Sequence, residues 1–240
     1  MKGNYTLKEI YGSGGARHKL IRLLEQPSII REVINKIRPA HSKECMEAKK
    51  LIGQTPKMLI DVGAYIGEFS EAFLFNYPDT NIIAFEPNPK NYNKVTQMPN
   101  VQAYPFGLWD KNTKKTYYLN PDKNADDQNS FLKPKKYNPE KMEIELKRFD
   151  SLNINIEQPC FLKIDVEGAE YQVLLGFGDF LKRIDVVQVE VIHQDLFEGQ
   201  SKLSEIVKLM EEHGFKGFKQ MNLTYLDNKP HKSDLMFFKA

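Results

Sequence analysis

From residue 57 onward, short apolar runs alternate with helical segments, and each run carries a small or acidic residue at or near its end. The runs are KMLIDVG, NIIAFEP, VQAYPFGLW, CFLKIDVEG and DVVQVEV. Between them lie a helix from about Ile66 to Asn76, a polar helix NPKNYNKVTQM and a helix AEYQVLLGFGDFL; KLSEIVKLMEEHG follows the fifth run. Near-continuous apolar runs mark strands covered on both faces. Their alternation with helices marks an α/β fold built on a mostly parallel sheet. Two last runs, FKGFKQM and DLMFFKA, are joined by the turn-rich NLTYLDNKPHKS and read as an antiparallel ending.

In such a sheet, ligands bind at the carboxyl ends of the strands, near the switch in strand order. Asp61, Glu86, Gly107, Asp165 and the pair Glu190 and His193 all fall at predicted strand ends. The first turn, DVGAYIG, carries Gly63 and Gly67, which lacks the three-glycine spacing of a dinucleotide site. It suits close backbone approach to a ligand, and the carboxylate of Asp61 before it suits a cofactor with an amino group and a positive sulfur. A plain reading stays open, in which Asp61 caps the next helix. Glu86, in FEPNP, stands about where an acid that holds a ribose diol is expected, and Pro87 and Pro89 stiffen the chain beyond it.

KIDVEGAE places Asp165, Glu167 and Glu170 within a few residues of each other. Buried acids need partners, so they either face a site or sit at the start of a helix. Asp165 is the site candidate and Glu170 the helix-start acid. His193 is the first candidate for a general base, ahead of Asp165 and Glu167, because imidazole titrates near neutrality. A structural histidine is the alternative. Asp165, Glu190 and His193 show no recognisable metal-ligand spacing, and no metal is expected.

Bulk composition narrows the class. A chain of 240 residues with 41% hydrophobic content suits one sizeable domain with additions. Lys and Arg number 34 against 32 acids, so nothing points to a nucleic-acid partner. Cys45 and Cys160 lack metal spacing, and Cys160 reads as a small buried hydrophobe in a reducing compartment. With no secretory h-region and no apolar run near the ~18 residues of a membrane span, a cytoplasmic protein is expected. Residues 1–56 read as an N-terminal helical extension, with helices across 16–38 and a third over SKECMEAKKLIG, capped by Ser42 and ending near Gly53. GSGG, residues 12–15, reads as a hinge. Residues 111–150 interrupt the alternation with two exposed-looking strands around a long polar loop, an insertion near the active edge.

LIDVGAYIGEFS, IIAFEPNPKNYNKV, LKIDVEGAEYQVLLG and VVQVEV, in this order, resemble the FkbM family of S-adenosylmethionine-dependent methyltransferases over residues 57–220. The resemblance implies a class I methyltransferase fold, Rossmann-like, with seven strands of which the last is antiparallel. It implies S-adenosylmethionine as cofactor and O-methyl transfer to a small-molecule or carbohydrate acceptor. By position, Asp61, Gly63, Ala64, Tyr65 and Gly67 would lie along the methionine part, with Glu86 and Pro87 at the ribose. Phe106 and Gly107 would flank adenine, and Asp165 would sit beside the reacting methyl. Tyr65 departs from the family pattern, which usually has Asn there. Two rival readings are a silent binding protein on the same fold and a methyltransferase with a non-hydroxyl acceptor. A nicotinamide oxidoreductase lacks its glycine turn here.

Overall fold

The computed structural model describes residues 39–122 and 127–239. The helices expected across 16–38, the GSGG hinge and the middle of the 120–139 loop lie outside the described residues. Ala40–Ala240 forms one unit.

Seven strands make the main sheet. They are β1 (Met58–Val62), β2 (Asn81–Phe85), β3 (Val101–Tyr104), β7 (Cys160–Ile164), β8 (Val186–Ile192), β9 (Gly217–Met221) and β12 (Lys232–Phe238). Their spatial order is β3-β2-β1-β7-β8-β12-β9. All neighbours from β3 to β8 run parallel, and β12 runs antiparallel between β8 and β9. The expected seven-stranded sheet with an antiparallel last strand is therefore present. The order reverses between β1 and β7, so their carboxyl ends form the crevice where a ligand fits.

Every residue of β1 and β7 is buried, which is why both read as continuous apolar runs. Side chains alternate between faces. Met58, Ile60 and Val62 join one core with Leu162, Ile164, Val187 and Phe177. Leu59 joins the opposite core with Phe161, Phe69, Phe73 and Cys45. Cys160 is fully buried, as its apolar setting predicts.

Helices cover both faces: α1 (Ser42–Ile52), α2 (Glu68–Asn76), α3 (Pro89–Val95), α4 (Glu170–Phe177) and α5 (Leu203–Glu212). Two of their starts differ from expectation. Ser42 is the first helical residue of α1, and the cap position belongs to His41, in the left-handed region. The Ser42 hydroxyl instead accepts from the Asn76 amide at 3.2 Å, tying α1 to α2. Helix α2 starts two residues later than the apolar spacing suggests, because Gly67 at φ 92 closes the preceding turn.

Between β3 and β7 the chain builds a second sheet from β4 (Gly107–Leu108), β5 (Thr113–Leu119) and β6 (Glu140–Lys147), ordered β4-β6-β5. The two long strands are not exposed on both sides. Tyr117, Ile144 and Leu146 are buried and pack with Trp109 and Phe131. Their polar neighbours gave the segment its exposed look.

Candidate active site

The first turn is shaped by backbone. Gly63 has φ 78, and a Cβ there would lie 1.8 Å from the Asp165 carbonyl oxygen. Only glycine lets the β1 and β7 turns cross at this distance. Tyr65, two residues on, is also left-handed at φ 52, a costly conformation for a bulky residue. Its amide donates to Glu86 Oε2 at 2.7 Å.

Glu86 therefore acts as a clamp. Its Oε1 accepts from the Asn88 amide at 2.8 Å, so each oxygen holds one turn. A carboxylate has about four acceptor sites, which leaves capacity for a ligand's hydroxyls. Burial pushes the carboxyl up to about 7, against the pull of the two amides. It is neither a surface acid nor a helix cap. Asn88 caps α3, accepting from the Lys90 amide at 3.1 Å.

Asp61 is a different case. Strand alternation puts it on the Leu59 face, under α2, where it is fully buried. Ser70 Oγ donates to its Oδ2 at 2.7 Å. Lys163, directly opposite in the β1–β7 register, brings its Nζ within 3.5 Å of Oδ1. The same ammonium donates to the Gly63 carbonyl at 3.0 Å and lies 3.5 Å from Asp165 Oδ2. Desolvation pulls the Lys163 ammonium down, but Asp165 and Asp61 more than reverse this and hold it above the usual lysine range. Burial likewise acts to raise Asp165, and Lys163 with Lys232 outweighs it, leaving the carboxyl below its ordinary value. The expected contact of Asp61 with a ligand is thus replaced by a supporting one, and Asp61 does not cap α2 either.

The KIDVEGAE turn supplies a second ion cluster. Glu167 is left-handed at φ 53 and nearly buried. Lys232 Nζ lies 2.6 Å from Glu167 Oε1 and 2.9 Å from Glu190 Oε2. Burial pushes the Glu167 carboxyl up to about 7 although Lys232 opposes it. Asp165, Glu167 and Glu190 each bring an oxygen within 4.8 Å of the others, and Lys232 already supplies positive charge there. Glu170 starts α4 as expected, and its Oε1 accepts from the Gly168 amide at 2.9 Å, closing the turn.

These turns border a narrow cleft of about 40 Å³. Of the residues predicted from sequence, Gly63, Tyr65, Glu86, Pro87, Gly107, Asp165 and Glu167 line it. The others do not. Ala64 packs with Ala84 and Val95. Gly67 abuts Met98, whose Sδ would lie 2.3 Å from an added Cβ. Phe106 is turned into the core, its ring centroid 5.7 Å from Phe85 and 5.5 Å from Tyr104. His193 is exposed and lines a separate groove with Asp195, Gly199 and Leu203, its Nε2 2.8 Å from Ser233 Oγ.

Sequence reasoning missed part of the lining. Asn91 and Leu108 come from α3 and β4, and Tyr117, Asn129 and Phe131 come from the inserted sheet and its loop. No strand-end rule finds the last three. The loop is drawn over the cleft by Ser130, whose buried hydroxyl donates to the Glu167 carbonyl at 2.7 Å. It also accepts from the Leu132 amide at 3.0 Å. The path then runs to the loop after β8, where the Lys135 amide donates to the Leu196 carbonyl at 2.9 Å.

The model of the family described as "Methyltransferase FkbM domain" matches residues 61–216. Methyltransferase 1 of Beauveria bassiana is 28% identical over 181 residues, covering 65% of this chain and 71% of that one. The 2-O-methyltransferase NoeI of Sinorhizobium fredii is 24% identical over 178 residues, covering 67% and 73%. A crystal structure of methyltransferase FkbM from Methylobacillus flagellatus aligns with 14% identity and a TM-score of 0.48. That match covers 76% of this chain and 44% of the other, so this chain spans less than half its length.

Proposed function

This chain belongs to the FkbM methyltransferase family, and from that premise we propose that it carries a methyl group from S-adenosylmethionine to a hydroxyl of a sugar or other small molecule. The observation that carries the reading is the Glu86 clamp beside the Gly63 turn. A buried carboxylate with spare acceptor capacity lies next to a glycine turn packed directly on the Asp165 carbonyl. That donor set fits the cofactor: a ribose diol needs acceptors, and an amino-acid tail needs close backbone.

When bound, S-adenosylmethionine supplies an electrophilic methyl on a positively charged sulfur. The chain's own residues then position and deprotonate. Glu86 accepts the ribose hydroxyls. The Asp165 carboxylate, held ionised by Lys163, favours positive charge at the methyl-bearing end of the cleft. A sugar hydroxyl is a weak nucleophile and needs a base. Glu167 is our choice, because it lines the cleft and its carboxyl is pushed up to about 7, near the working pH. Lys232 occupies one of its oxygens and leaves the other for the acceptor proton. Tyr117 and Phe131 offer apolar faces on the acceptor side, and residues 111–150 set acceptor choice. One relative bears the name of a 2-O-methyltransferase, which supports oxygen as the acceptor atom.

The test is calorimetry with S-adenosylhomocysteine, followed by mass spectrometry of a glycan and small-molecule panel incubated with S-adenosylmethionine. Micromolar binding and a gain of one methyl on a hydroxyl are expected. Absence of binding sinks the cofactor assignment; transfer to nitrogen or carbon sinks the hydroxyl assignment.

A further inference from the structure

Asn91 is 4% exposed, on α3, one turn beyond the Glu86 clamp. It is one of the residues that line the cleft, as Pro87 and Gly107 are. Among the described residues its side-chain amide has no hydrogen-bond partner. The neighbouring polar groups are already spoken for: Glu86 holds Tyr65 and Asn88, and Asn88 holds Lys90. Natural proteins rarely leave a buried amide without a partner. Among the described residues with polar side-chain atoms both sealed from solvent and without a hydrogen bond, Asn91 does not appear. Its polar atoms are therefore not sealed from solvent, and the residue lines the cleft.

Resting on the cofactor assignment above, we infer that Asn91 reads the hydrogen-bonding edge of the adenine base and so determines base specificity. The carboxamide offers one acceptor and one donor group side by side in a plane. Adenine offers the matching pair, the exocyclic amine beside a ring nitrogen, and Asn is a standard bidentate partner for that base. The location agrees. The base hangs from the ribose that Glu86 would hold, and the same cleft is lined by the apolar Pro87 and Leu108. Residue 91 thereby acquires a role that strand-end reasoning could not assign, since it lies inside a helix.

The experiment measures binding of two probes by calorimetry, S-adenosylhomocysteine and its 6-deamino analogue, whose purine lacks the exocyclic amine. Wild-type protein is expected to prefer S-adenosylhomocysteine on the order of 10-fold. Asn91→Leu, close in volume, is expected to lose that preference while binding the analogue nearly as wild type does. Asn91→Ser is the second variant, should the leucine disturb folding, with the same loss of preference. Equal weakening of both probes, or no weakening, overturns the inference. If wild type binds neither probe, the cofactor assignment fails and this inference with it. If wild type binds both equally, only the role of Asn91 fails.

Discussion

Glu86 and Tyr65 each carry a cost within the turn, a buried carboxyl and a left-handed backbone. The Glu86 carboxyl is near its ordinary value of 4.5 in the unfolded chain and at about 7 in the fold. The folded state therefore binds more protons between these values, and this residue's contribution to stability falls as pH rises through that window. A ligand donating hydroxyls to Glu86 favours its ionised form, so binding expels a proton. S-adenosylhomocysteine affinity is expected to rise about 10-fold from pH 6 to pH 8, with a buffer-dependent heat of proton release. Glu86→Gln should abolish that release. Tyr65 at φ 52 accounts for the family's usual Asn there, since Asn tolerates the left-handed region better. Tyr65→Asn is expected to stabilise by about 1 kcal/mol, a rise in Tm of ~2–4 °C; a fall would show that ring contacts outweigh the backbone.

Elements meet at this site backbone to backbone. Gly63→Ala forces a Cβ onto the Asp165 carbonyl, which an adjusting side chain cannot relieve. It should part the β1 and β7 turns and remove S-adenosylhomocysteine binding, read by calorimetry alongside a Tm loss. The inserted sheet depends on one hydroxyl in the same way. Ser130→Ala leaves the buried Glu167 carbonyl and Leu132 amide without their partner, a cost of about 1–3 kcal/mol. Protease cleavage within residues 120–135 should accelerate, while far-ultraviolet circular dichroism of the main sheet stays unchanged.

Across the whole molecule, the charges under the crevice form one system. Lys163 is the cation between two carboxylates from neighbouring strands, and Lys232 repeats the arrangement between Glu167 and Glu190. Asp165 sits below its ordinary value in the fold. Its contribution to stability is present above the unfolded value near 3.8 and is lost as pH falls through the folded one. Lys163→Met strands Asp61 and Asp165 together, and should cost about 3–5 kcal/mol at pH 7 in denaturant unfolding. The loss should shrink below pH 5 as the carboxylates protonate; a pH-independent loss would point to packing alone. The sequence by itself determined the strand–helix alternation, the parallel sheet and the three turns that carry Gly63, Glu86 and Asp165, because each rests on local periodicity and φ preference. Only the tertiary structure decided that Asp61 supports from beneath and that Phe106 and His193 turn away. It alone brought Asn91, Tyr117 and Phe131 to the cleft. Which face a strand residue takes, and which distant segment folds across it, depends on packing between elements far apart in the chain.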